Sequence, residues 1–316
     1  GKEAEDFYKS STEEENYAGI GITITSLHKR TYVIEVRDGS PASGAGLEPG
    51  DLILKVNNQN IYGLSTLEVS SLTRGLEGTS VVLEVKSRRT QKPKNISLIR
   101  RSITAETVTF KDLGRGIVYA KIRSFLPADE VVSEFRSVLG RSVGKKLIVD
   151  VRGNGGGSLI AVNRMVGFLI GPNRTLISMK GREKEITVQT VSSGRPVMLP
   201  TKIVLLIDYN SASASEIMAG NLKYYKVATL VGVRTYGKAV AQMYFGLDTP
   251  NHNVQGSKLI LGVTTDRYFL PDGTNITGNG VQPDVEIELP DDFKPFEYLT
   301  KRDLQFQEAL KILKKK

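Results

Sequence analysis

Between residues 17 and 85, apolar and polar positions alternate in short runs. "GIGITIT" (19–25), "TYVIEV" (31–36), "LILKV" (52–56) and "TSVVLEV" (79–85) are rich in β-branched residues, several at a period of two, which predicts half-buried strands. Pro41 opens a short helical turn that Gly46 closes, and Pro49-Gly50-Asp51 gives a tight turn. "TLEVSSLTRGL" (66–76) sets Leu67, Leu72 and Leu76 near helical spacing. These elements describe a small, partly open β barrel with two short helices. Beyond residue 115 the pattern becomes strand followed by helix, repeatedly. "GIVYAKI" (116–122), "KKLIVDVRG" (145–153), "TKIVLLID" (201–208) and "VATLVGV" (227–233) read as strands. "PADEVVSEFRSVLG" (127–140), "SLIAVNRMVGFLI" (158–170) and "SASEIMAGNLKYY" (213–225) read as the intervening helices. Such an order predicts parallel pairing with right-handed crossovers and a ligand site beyond the carboxyl ends of the strands.

With 316 residues, 40% hydrophobic and 24% charged, the chain has room for two domains, each with its own core. The expected division is a polar lead-in over 1–16, a first domain over 17–103, a second over 104–289, and a C-terminal amphipathic helix or tail over 290–316. In the last, Phe306, Leu310 and Leu313 form an apolar stripe. The longest apolar runs, such as "IVLLI" (203–207), are far too short for a membrane span. The polar, acidic stretch at the start has no basic-then-apolar leader, so a signal segment is expected to be absent from this chain.

The net charge of +9 raises nucleic acid or an anionic membrane as partners. Its densest stretch, "KSRRTQKPKNISLIRR" (86–101), reads instead as two strands around a polar turn without an aromatic residue for base stacking, so no nucleic acid is expected. With no cysteine there is no disulfide, no thiolate nucleophile and no thiolate metal site. The two histidines, His28 and His252, have no further ligand at metal spacing; neither a metal nor a cofactor is expected.

Two loops at predicted strand ends carry the candidate chemistry. "DVRGNGGGS" (150–158) is too rich in glycine for a helix or strand interior and offers backbone N–H groups to an anion. It lacks the Gly-Lys-Ser/Thr ending of a phosphate loop, and an oxyanion hole needs the same exposed amides. "YNSASASEI" (209–217) places Ser211, Ser213 and Ser215 at the start of a helix, whose positive end favours a developing anion. Ser211 and Ser215 would share a face if the helix began early, with Ser213 pointing elsewhere. Ser213 and Glu216 also stand at the spacing of a helix capping box, the structural alternative to a catalytic role. A serine nucleophile needs a base, and Lys238, among small or apolar neighbours in "YGKAVAQMYF", could serve if burial lowers its pKa.

The first domain resembles a PDZ domain of bacterial proteases through Gly19, Ile20, Gly21 and Ile22, through "SPASGAGLEPGDLILKVN" (40–57) and through "RGLEGTSVVLEV" (74–85). That resemblance implies capture of a peptide's C-terminal carboxylate by the glycine-containing loop, with the peptide added as a strand. "DVRGNGGGSL", "IVLLIDYNSASASEIMAG", "LVGVRTYGKAVAQ" and "TTDRYFLPDGTNITGNGVQPDVEI" (264–287) resemble the core of the carboxy-terminal processing (tail-specific) proteases. The likeness runs from Tyr17 to about Leu289. It implies an α/β fold with a PDZ domain and a spiral β/α core of the crotonase/ClpP-like kind, and a serine peptidase with a Ser-Lys dyad acting through an acyl-enzyme. It further implies Ser213 as nucleophile, Lys238 as base, Gln242 as the residue orienting Lys238, and amides of Gly156 and Ala214 as the oxyanion hole, with Gly157 as an alternative. Arg74, at the end of the PDZ helix, is a candidate contact for peptide-dependent regulation. The implied partners are protein or peptide substrates with accessible C-termini, some near a membrane, and an oligomer is compatible with the pattern. Extracytoplasmic residence, periplasmic or secreted, is implied by the resemblance alone. Ala239 and the pair Tyr224-Tyr225 depart from the family's usual residues, which leaves rate and substrate preference open. The alternatives are a catalytically silent PDZ scaffold on a protease-like fold and an acyl-handling enzyme on the same spiral core.

Overall fold

The computed structural model describes residues 17–103, 106–181, 186–190, 200–248, 251 and 259–315; for 17, 103, 186–190 and 241–244 only the backbone is described. The chain divides into two compact units, one of Glu15–Ala105 with Leu289–Asp303, the other of Glu106–Glu288 with the helix that starts at Leu304. The expected C-terminal tail is thus shared between them. No helix among the described residues is long and apolar enough to cross a membrane.

In the first unit β1 (Tyr17–Gly19) leads into β2 (Ile22–Leu27) and β3 (Arg30–Val36), then α1 (Pro41–Gly44), β4 (Leu52–Val56) and β5 (Gln59–Asn60). These are followed by α2 (Thr66–Thr73), β6 (Ser80–Lys86), β7 (Pro93–Ile99) and β8 (Arg101–Ile103). The sheet runs β2-β3-β4-β6-β7, leaving β2 as an outer strand, and β1 pairs with β8. The period-two pattern has its expected effect: Val81, Leu83 and Val85 of β6 are fully buried, and with Val33, Ile53, Val56, Ile61 and Val69 they form the core. Helix α2 has a full capping box, Glu68 N donating to Ser65 Oγ (3.2 Å) and Ser65 N to Glu68 Oε2 (2.7 Å). Its other end is closed by the buried Arg100, which donates to the carbonyls of Thr73 (2.9 Å) and Leu72 (3.2 Å). The basic stretch 86–101 forms the predicted hairpin, β6 against β7. Segment 289–303 packs on this unit by setting Phe296 against Tyr32, ring centroids 5.7 Å apart, and beneath the Arg88 guanidinium at 5.1 Å.

The second unit continues with β9 (Val108–Asp112), β10 (Ile117–Ile122), α3 (Ala128–Arg141), β11 (Lys146–Asp150), α4 (Leu159–Ile170), β12 (Thr175–Gly181) and β13 (Ile186–Thr190). Then come β14 (Lys202–Ile207), α5 (Ala214–Tyr224), β15 (Ala228–Gly232), β16 (Val240–Gly246), β17 (Ile260–Phe269), β18 (Val285–Glu286) and α6 (Leu304–Lys314). Its main sheet has the order β18-β15-β14-β11-β10-β9 and is parallel except for β9. Strands β11 and β14 are buried along nearly their whole length, as a sheet covered on both faces requires. A second, antiparallel sheet, β13-β12-β17-β16, was not anticipated from the sequence.

The register of the parallel sheet positions the site. Asp150 pairs with Leu206 and Ile207 with Gly232, so three adjacent strands, β11, β14 and β15, end side by side. Their following loops carry the glycine run, the three serines and Lys238. All three emerge at the carboxyl edge of the sheet.

Candidate active site

Ser213 sits at the N-cap of α5 with φ 56° and ψ −115°, a left-handed backbone that an L-residue adopts only under constraint, at about 1–3 kcal/mol. Its two serine neighbours supply that constraint. Ser211 Oγ donates to Val151 O (2.9 Å) and Ser215 Oγ to Asn154 O (2.8 Å), and both residues are fully buried. Ala212 N donates to the same Asn154 oxygen (3.0 Å). Ser211 and Ser215 therefore fasten the serine turn to the glycine loop. Ser213 is half-buried, and its hydroxyl forms no hydrogen bond among the described residues.

Gly156 lies against that turn. A Cβ built on it would stand 2.8 Å from both Ala212 O and Ser213 Cβ and 3.0 Å from Ala214 N, and its φ of +106° disfavours any side chain. Its N–H, however, donates to Asn154 Oδ1 (2.9 Å), so in this structure Gly156 contributes close approach and its amide is already engaged. Gly157 N and Ala214 N donate to nothing among the described residues. Ala214 N is the first amide of α5 and points where an anion is favoured. Asn154 is a hub the sequence did not reveal: it also donates from Nδ2 to Ile122 O (3.0 Å), tying β10 to the loop.

The carboxylate of Glu216, buried in the first turn of α5, joins the serine turn to the lysine loop. Oε2 accepts from Ser213 N and from Lys238 N, each at 2.8 Å, while Oε1 accepts from Gly237 N and Thr235 Oγ1, each at 2.6 Å. The expected capping acid is present, and the same group reaches across to the base candidate 22 positions later. From the carbonyl side, Tyr268 Oη donates to Lys238 O (2.6 Å) and lies 3.4 Å from Ser213 O. Burial, with the Glu216 carboxylate nearby, pushes the Tyr268 phenol well above its ordinary pKa, so the hydroxyl remains a donor. Lys238 is half-buried, and its amine makes no hydrogen bond or ion pair among the described residues, with Ser213 or with any acid. Gln242 lies in β16 opposite Thr264, and its side chain falls outside the described residues.

Beneath the glycine loop is a buried ionic cluster. Burial alone would raise the pKa of Asp150, but the Arg152 guanidinium and the Lys121 ammonium outweigh it and hold the carboxyl well below the usual range. Arg152 Nη2 meets Asp150 Oδ2 at 2.8 Å and Arg152 Nη1 donates to Gln305 Oε1 on α6 (3.0 Å); Tyr119 Oη donates to Asp150 Oδ2 (2.8 Å). Every strong group is paired.

In the first unit, Gly19 ends β1, and Ile20 and Gly21 lead into Ile22 of β2. Ile20 O accepts from Ala42 N (2.9 Å) and Gly21 O from Arg37 N (2.9 Å), whereas Ile20 N and Gly21 N donate to nothing among the described residues. Arg74 is the C-cap of α2, with an exposed side chain. His28 is exposed in the β2–β3 turn, and His252 lies outside the described residues.

Fold and site together define a two-part protein: a domain of the PDZ kind and an α/β core of the serine-peptidase class whose loops converge on a strained serine. The profile of peptidase family S41 matches residues 116–287 and that of the PDZ domain residues 32–87. The chain belongs to peptidase family S41. It is 32% identical over 281 residues to a "Probable CtpA-like serine protease" of Staphylococcus aureus (strain COL), covering 87% of this chain and 53% of that protein. The chain thus spans about half the length of the curated relatives it matches. The solved structure of a "Putative S41 protease" from Bacteroides fragilis NCTC 9343 shares the fold, with a TM-score of 0.67 at 20% identity, over 96% of this chain and 84% of that one. A solved photosystem II D1 C-terminal processing protease is 27% identical over 90% of this chain and 76% of that one, with a TM-score of 0.48.

Proposed function

We propose that this chain carries the working parts of a serine endopeptidase that takes hold of protein C-terminal tails through its PDZ domain and cleaves peptide bonds by acyl-enzyme chemistry. Ser213 Oγ attacks the scissile carbonyl carbon while its proton passes to the Lys238 amine. The tetrahedral oxyanion collapses, breaking the C–N bond, and Lys238 returns the proton to the leaving nitrogen. Water, deprotonated by the same amine, then hydrolyses the Ser213 ester. Ala214 N and Gly157 N are the oxyanion donors in this reading, with Gly156 letting the glycine loop close on the serine turn, and Gln242 orients Lys238. Extracytoplasmic residence, with some substrates close to a membrane, belongs to the same proposal.

One observation carries the reading: a single oxygen of the buried Glu216 accepts the backbone N–H groups of both Ser213 and Lys238 at 2.8 Å. Two residues from separate strand ends are thereby held at one point, beside an uncommitted helix-terminal amide. The test is turnover of an unfolded protein substrate by Ser213→Ala and Lys238→Ala, each expected to lose at least about 10²–10⁴-fold in rate. Undiminished cleavage by either variant would end the assignment.

A further inference from the structure

We infer that Tyr268 is a positioning residue of this site: its hydroxyl holds the main chain of Lys238 to that of Ser213 from the carbonyl side, as Glu216 does from the amide side. The inference rests on the Ser-Lys reading above. The phenol oxygen lies 2.6 Å from Lys238 O and 3.4 Å from Ser213 O, so one hydroxyl donor stands within reach of both carbonyls. Tyr268 is only 3% exposed, and its own backbone is fixed on both sides. Its N–H donates to Ala239 O (3.1 Å), the residue after the lysine, and its carbonyl accepts from Asn275 Nδ2 (3.2 Å). Across the second sheet it pairs with Met179 of β12. The ring therefore has a fixed anchor, and through it the antiparallel sheet determines where the lysine loop rests.

The consequence is for the base. A lysine has a long, flexible stem, so the position of its amine depends on how firmly its main chain is held. The Glu216 bridge holds the peptide unit before the Lys238 Cα. The Tyr268 bridge holds the unit after it, so the Cα that carries the stem is fixed from both sides. The Tyr268 hydroxyl is engaged with main-chain carbonyls, so its removal is expected to act on the chemical step and to leave substrate affinity alone.

The experiment compares Tyr268→Phe with the parent chain on an unfolded substrate such as β-casein, alongside Ser213→Ala and Lys238→Ala. The expected result is a fall in kcat between about 10- and 100-fold with KM within about two-fold, and a displaced acidic limb of kcat/KM against pH. Replacing Tyr268 by 4-aminophenylalanine, which restores an N–H donor at the same ring position, should recover most of the loss. Should the Phe variant fail to fold, 4-fluorophenylalanine, which fills the space without donating, takes its place in the comparison. Full activity and an unchanged pH profile in the donor-less variant, with both dyad variants inactive, would overturn the inference and leave the dyad standing. A loss that the 4-amino residue does not recover would also overturn it, marking the hydroxyl as packing only. Activity persisting in Ser213→Ala or Lys238→Ala would overturn both readings.

Discussion

Gly156 approaches Ser213 so closely that a methyl group on the glycine would stand 2.8 Å from the serine Cβ. Neither partner can withdraw, because Ala212 O is equally close and the serine turn is bolted to the glycine loop through Ser211 and Ser215. Gly156→Ala should therefore displace Ala214 N and Ser213 together. Catalysis is expected to fall by about 10²–10³-fold, the scale of a lost oxyanion donor, while the sheet still folds. Steady-state kinetics combined with circular dichroism checks this, and a variant that is folded and fully active would show that the contact does not shape the site.

Glu216 is the next point of vulnerability. Replacement by Gln turns one carboxylate oxygen into an NH₂ group, which faces two backbone donors at Oε2, or one backbone donor and the Thr235 hydroxyl at Oε1. An orphaned buried donor costs roughly 1–3 kcal/mol, so Glu216→Gln is expected to lose at least about 1–3 kcal/mol of stability and to lower kcat more than about 10-fold. Urea denaturation and turnover measured on the same preparation decide it. A change under about 0.5 kcal/mol would show the bridge to be incidental.

Much of this architecture was legible in the sequence, and the reasons are physical. The βα units announced themselves because β11 and β14 are apolar on both faces and α3 and α4 carry an apolar stripe. The glycine loop and the serine run stood out because no regular element tolerates them. The second sheet was missed for the opposite reason: β17 exposes Leu261 and Val263 and buries Tyr268, so burial does not follow its apolar pattern. The double role of Glu216 was hidden because its spacing to Ser213 already had a sufficient local explanation as a helix cap. Tyr268 and Asn154 stand in segments that the sequence singles out, but their own roles gave no signal, since their partners lie 30 and 61 positions away, at Lys238 and Ser215. Which loop amide is engaged likewise depends on the Asn154 side chain and could not be read from a run of glycines.

Acid stability follows from Asp150. Its folded pKa lies below that of the unfolded chain, about 3.9, so the unfolded state binds the extra proton first and stability rises with pH across that window. The contribution is complete above about pH 5 and is lost only as pH falls through the folded value, below the ordinary carboxylate range. Asp150→Asn, which removes the carboxylate that meets the fully buried Arg152, should cost about 1–3 kcal/mol at pH 7, with the gap to the parent narrowing below about pH 3.5. Urea midpoints at both pH values test the sign. A gap that widens on acidification would contradict it.

The PDZ unit offers a prediction independent of the catalytic residues. Ile20 N and Gly21 N are without acceptors among the described residues, and they precede β2, the outer strand of its sheet. Two main-chain donors at the head of an open edge suit a carboxylate at the end of an added strand, and Gly21, at φ +78°, keeps the backbone bare enough for its approach. Hydrogen bonds to a charged acceptor contribute about 1.5–3 kcal/mol, so a peptide with a free C-terminus should bind about 10- to 100-fold more tightly than the same peptide ending in an amide. Fluorescence anisotropy on the full chain, carrying Ser213→Ala to prevent cleavage, makes the comparison. Because the donors are backbone groups, the preference should hold across peptides that differ several residues upstream of the terminus. Equal affinity for acid and amide would mean that this loop does not read chain ends.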